Sequence, residues 1–185
     1  MMWDLPIAVT IDGEVHKIRN RCDYRVVLDA MIALNDSSMP QEMAAFCALE
    51  IFYEDFSKIK NIELAMQEMS KVISYGVQDT SKLNEGSSAL KLMDWEYDFC
   101  HIAPAVSKVL GYSIRDPDKY THWHDFVGAY MEMGECTFQA IIRIRNKLKK
   151  GEKLEDYEKK YMLENPAIIH LPNDASDEEW LNSDW

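Results

Sequence analysis

Residues 40–56, PQEMAAFCALEIFYEDF, decide the fold class. Pro40 suits the first turn of a helix, where its missing amide proton has no carbonyl to serve, and Ala45, Ala48, Leu49, Phe52 and Phe56 then recur at three- and four-residue steps. The stretch is therefore read as an amphipathic helix. The same periodicity repeats on both sides. Upstream, Asp23 can cap a helix with Val27, Ala30, Met31 and Leu34 on one face, ended by Asn35-Asp36-Ser37-Ser38. Downstream, Ile62, Ala65, Met66, Met69, Val72 and Ile73 form a stripe running to Gly76, a candidate left-handed cap.

Ahead of these helices, Ile7 to Ile11 and Glu14 to Ile18 are β-rich runs joined by Asp12-Gly13, a turn pair that accepts positive φ. A short N-terminal hairpin is expected. From Val77 to Ala89 the composition turns to Gln, Asp, Thr, Ser, Lys, Asn and Gly with little periodicity, the pattern of a polar linker. Beyond it, Trp95, Phe99, Ile102, Ala103, Val106 and Leu110 make a helical stripe closed by Gly111, with Pro104 expected to kink or divide it. Asp116-Pro117 restarts the chain. Trp123, Phe126, Val127, Tyr130 and Met131 give the next stripe up to Gly134, and Phe138, Ile141, Ile142 and Leu148 another up to Gly151. A polar helix over 154–164 follows, and then an acidic end.

The expected architecture is mainly α, a compact bundle of about six helices with a short N-terminal β-hairpin. Its organisation reads as hairpin plus helices over 1–75, a linker over 76–92, a helical region over 93–170 and an acidic tail over 171–185. Apolar runs of four or five residues fall far short of a membrane span. The start, Met-Met-Trp-Asp-Leu-Pro, lacks signal-peptide character, so the chain is expected to stay where it is made. Thirty-two acidic against twenty basic side chains give a net charge of −12, which repels phosphate backbones and anionic membranes and favours a protein partner.

Chemistry-bearing residues are sparse. Cys22, Cys47, Cys100 and Cys136 are irregularly spaced with no C-x-x-C pair, the pattern of reduced, partly buried thiols. His101, His122 and His124 with Cys100 could in principle hold a metal ion, but His122 and His124 diverge by about 200° on a helix. Surface or interface histidines are the simpler reading. Cys100 and His101 are adjacent, which turns their side chains apart, and phosphate-loop, zinc-protease and nucleophile-elbow motifs are missing. No catalytic residue, cofactor or metal is expected. The basic run Arg143, Arg145, Lys147, Lys149, Lys150 and Lys153 complements a helix C-terminus, or forms a face that docks anionic groups of the acidic tail or a partner. Tyr97, His101, His122, His124, Arg143 and Lys147 are the candidate partner-binding residues.

Taken in order, these pieces resemble the tail assembly chaperones of siphophages, particularly those of Gram-positive hosts and their prophages. The resemblance runs over residues 7–165. It begins with the hairpin, Asp23-Tyr24-Arg25 opening a helix, and Ala48-Leu49-Glu50-Ile51-Phe52-Tyr53 in the next. Between Met93 and Tyr161 it is most specific: Asp94-Trp95-Glu96-Tyr97-Asp98, Gly111-Tyr112, His122-Trp123 with Phe126, Phe138 to Arg145, a lysine-rich run and Glu158-Lys159-Lys160-Tyr161. His124 stands where a second aromatic is expected, and Pro104 interrupts a helix that is usually continuous. The resemblance implies an all-α, non-enzymatic chaperone of the host cytoplasm, absent from the mature virion. It would coat the tape measure protein, recruit the tail tube protein and act with an upstream tail assembly chaperone, as the downstream product of two reading frames joined by frameshifting. A structural tail or connector component, and a metal-dependent enzyme using His101, His122, His124 and Cys100, are the rival readings.

Overall fold

The computed structural model describes residues 4–74 and 91–172. Strands β1 (Ala8–Ile11) and β2 (Glu14–Lys17) pair antiparallel, with Val9 opposite His16 and Ile11 opposite Glu14. Asp12 and Gly13 both take positive φ, 50° and 85°, as a tight hairpin turn demands. Alternation then puts Val9, Ile11, His16 and Ile18 inside. Eight helices follow among the described residues: α1 (Tyr24–Leu34), α2 (Gln41–Phe52), α3 (Ile62–Ile73), α4 (Trp95–Leu110), α5 (Trp123–Met131), α6 (Thr137–Lys149), α7 (Asp156–Glu164) and α8 (Pro166–Ile169). The chain is mainly α with an N-terminal hairpin, as expected. The expected linker and acidic tail, and Gly76 as a cap, lie outside the described residues except at 91–92 and 171–172.

The two halves share one core. Tyr24 of α1 stacks on Phe126 of α5 with ring centroids 4.7 Å apart, and the buried cluster runs without a break from Val9 to Phe138. Ile141, Ile144, Leu154 and Ile169 form a smaller second cluster. Asp23-Tyr24-Arg25 explains much of the join. Asp23 caps α1 by accepting from the Arg25 amide, Tyr24 Oη donates to the Ile114 carbonyl at 2.7 Å, and Arg25 donates to the carbonyls of Ile114, Asp116 and Lys119. Because Arg25 still serves the Ile114 carbonyl, Tyr24→Phe should cost about 1 kcal/mol, one net hydrogen bond with no orphaned acceptor. A denaturant midpoint in which the loss exceeds about 3 kcal/mol would contradict that division of labour.

Two local expectations are corrected. Phe56 does not extend α2: the helix stops at Phe52, Tyr53 turns extended to bridge Ile18, and Phe56 lies in a 3₁₀ turn over Phe56–Lys58. Pro104 does not divide α4, which runs through it for 16 residues. Both Pro104 and Cys100, whose carbonyl loses its amide partner, face solvent, so water can replace the missing bond. Asp116-Pro117 sits in a turn, and α5 begins at Trp123, the first residue of the expected stripe.

Candidate functional site

The outer face of α2 is the most distinctive surface feature. Met43, Ala44, Ala45, Phe46, Cys47, Ala48, Leu49, Ile51 and Phe52 make nine of its twelve residues apolar. Ala44, Ala48, Leu49 and Phe52 are buried, and α1 with α2 forms the most extensive helix pair among the described residues. A second apolar row, Met43, Phe46, Cys47 and Ile51, recurs at the same helical spacing on the opposite side. Met43 is 56% and Phe46 49% exposed. Together with Pro40 they line an open apolar depression flanked by the exposed carboxylates of Glu42 and Glu50.

The depression is built on a fixed base. Arg19 donates from Nε to the Ile51 carbonyl at 2.9 Å and from Nη2 to the Glu50 and Tyr53 carbonyls, satisfying the end of α2. Phe56 meets Phe46 edge-on at 5.8 Å. A helix apolar on both faces belongs in an interior, yet one face of α2 has no covering element among the described residues. Sequence reading found the inner stripe and missed the outer one; nine apolar residues in twelve was the available signal.

The six residues singled out from the sequence fall into three separate settings. Tyr97 and His101 lie half-buried on α4, and Tyr97 Oη donates to the Ala167 carbonyl, tying α4 to α8. His122, read as a surface or interface histidine, is only 1% exposed. Its Nδ1 accepts from the His124 amide at the start of α5 while Nε2 donates to the Pro6 carbonyl at 3.0 Å, which fixes one neutral tautomer. His124 Nε2 donates to the Val72 carbonyl, and Trp123 Nε1 to that of Ile73. Trp123 and His124 therefore cap the last turn of α3, whose carbonyls lack helical partners, while His122 caps the start of α5.

Burial holds His124 below its ordinary value of 6.5, against the Val72 carbonyl that favours the charged ring. The unfolded chain then binds the extra proton first, so this contribution is complete above pH 6.5 and is lost as pH falls below it. Urea midpoints taken downward from pH 7.5 should decline in that window, and His124→Gln should flatten the decline. An identical slope in both proteins would remove His124 as the cause.

The basic run is corrected more sharply. Arg145 is 2% exposed and grips Asp98, which is fully buried, through two hydrogen bonds at 2.7 and 2.9 Å. Its remaining donors go to the carbonyls of Leu92, Ile168 and Ile169, so one guanidinium ties α4, α6 and α8 together. Lys147 meets buried Glu158 at 2.7 Å, with Arg143 at 3.6 Å. Burial alone would raise the Glu158 carboxyl, but the Lys147 hydrogen bond, the Glu155 amide and the two cations outweigh it and hold it below its usual range. Arg143 and Lys147 thus have an internal partner.

Cys22 is buried, which pushes its thiol up to about 12, and all four cysteines are unpaired. Among the described residues, no three His, Cys, Asp or Glu side chains are grouped to hold a metal ion. No helix among them is long and apolar enough to cross a membrane. A sequence family described as "Bacteriophage Gp15 protein" matches residues 2–170. No curated protein and no solved structure matches the chain.

Proposed function

The chain belongs to the bacteriophage Gp15 protein family, and on that premise we propose that it is a tail assembly chaperone that holds helical segments of the tape measure protein on the outer face of α2. The observation that carries the reading is the second apolar row of α2, Met43, Phe46, Cys47 and Ile51, set between Glu42 and Glu50 on an already packed helix. An amphipathic helix with an apolar stripe and basic flanks is the occupant that such a face selects. The net charge of −12 favours the same basic partner.

Methionine and phenylalanine repack cheaply around varied side chains, which suits successive stretches of one long helical chain. Each contact is then modest, and many copies along the same chain raise occupancy through effective concentration. The resemblance over 7–165 supports the rest of the proposal: recruitment of the tail tube protein, cooperation with an upstream tail assembly chaperone, action in the host cytoplasm and absence from the mature virion.

Co-expression with a tape measure protein and a tail tube subunit tests it. The tape measure protein should become soluble and co-purify. Unchanged solubility without co-purification defeats the proposal, and stoichiometric recovery of the chain from purified virions would make it a structural component instead.

A further inference from the structure

We propose that the groove between the end of α6 and α7 is a docking site for an acidic, aromatic-bearing segment, and that its occupant is residues 173–185 of this same chain. The inference is independent of the α2 reading. Leu148, Leu154, Met162 and Leu163 line the groove, with Lys153 and Lys159 at its edges. Leu154 belongs to the smaller buried cluster, and Leu148 and Met162 pack against it. Leu163 is 75% exposed. An apolar surface therefore continues out of the cluster into solvent.

Where the chain leads identifies the occupant. Ile169 is buried in that same cluster, Leu171 is also buried, and the described chain stops at Pro172, three residues beyond Ile169. The next thirteen residues can reach about 40 Å, several times the roughly 13 Å length of α7. Their chemistry matches the groove. They carry Asp174, Asp177, Glu178, Glu179 and Asp184 with no lysine or arginine, and Trp180, Leu181 and Trp185 as apolar groups. Lys153 and Lys159 pair with no described carboxylate, and exposed Lys150 lies alongside. Glu152 is the single acidic residue lining the groove. The indole and leucyl groups supply area for the apolar floor, and the carboxylates supply register against the lysines.

Photo-crosslinking in the full chain tests this. With Trp180→benzoyl-phenylalanine, irradiation should join position 180 to residues 148–163 of the same molecule, with a yield independent of dilution. Lys153→Glu with Lys159→Glu should lower that yield about fivefold, the effect of two exposed charge pairs, while circular dichroism and the melting midpoint stay unchanged. Because replacing Trp180 removes an anchor, the reverse probe Leu163→benzoyl-phenylalanine should capture residues 173–185. Crosslinks between two chains, crosslinks to other segments, or none with either probe would overturn the proposal.

Discussion

Arg145→Ala is expected to destabilise the protein by about 3–5 kcal/mol, because it leaves the Asp98 carboxylate buried with its main counter-charge gone. Against a typical total of about 5–15 kcal/mol, that is a large share of the stability. The same substitution frees the carbonyls of Leu92, Ile168 and Ile169, so the loss falls where α8 and the start of α4 meet α6. Asp98→Ala should cost about as much, since the guanidinium is then the uncompensated charge. The double variant Asp98→Leu with Arg145→Met should lose much less than the two single losses added together, because no lone charge remains. Urea denaturation followed by circular dichroism gives all three values. Single variants within about 1 kcal/mol of the parent, or strictly additive losses, would show that the pair is not what holds these helices.

On the α2 face the opposite pattern is expected, with large effects on binding and small ones on stability. Met43 and Phe46 are about half exposed, so Met43→Glu should change the folding free energy by about 0.5 kcal/mol and Phe46→Glu, which also loses the edge-on contact with Phe56, by about 1–1.5 kcal/mol. A central aromatic anchor is worth at least about 2 kcal/mol at an interface, so Phe46→Glu should weaken tape measure binding roughly 30-fold or more. Adding Glu42→Lys and Glu50→Lys to the parent should slow association and weaken its salt dependence, since in the proposed reading those carboxylates steer a basic helix. Titration of the tape measure protein by calorimetry measures each variant. Unaltered affinity in Phe46→Glu, with its fold intact, would move the binding site off α2.

The two sets separate folding from function. Variants at Asp98 and Arg145 are expected to disturb the proposed partner binding only by way of the fold, and variants at Met43 and Phe46 to act on folded protein. The candidate residues taken from the sequence divide along the same line. His122 and His124, read as interface histidines, turn their ring nitrogens inward: His122 to the Pro6 carbonyl, and His124 to the Val72 carbonyl at the end of α3. Sequence spacing showed that the two rings diverge on a helix; it gave no sign that His122 is the cap just before one. Arg143 and Lys147 looked like a solvated basic face because Glu158, their partner, lies on the next helix.

Periodicity and turn chemistry by themselves determined the mainly α class, the Asp12-Gly13 hairpin and the faces of α1, α2 and α3. They also determined the end of α4 at Gly111. These features depend on residues within a few positions of one another, which a sequence displays directly. Tertiary structure decided the rest. Asn20, Arg21 and Cys22 all adopt positive φ, 49°, 56° and 63°, at a cost of about 1–2 kcal/mol each. That turn is sustained from a hundred residues away, by Tyr120 Oη donating to the Arg21 carbonyl and the Trp123 amide donating to that of Cys22. The burial of Arg145 and the outward exposure of Phe46 were settled in the same way. A side chain's environment depends on what packs across from it, and local pattern carries no record of that.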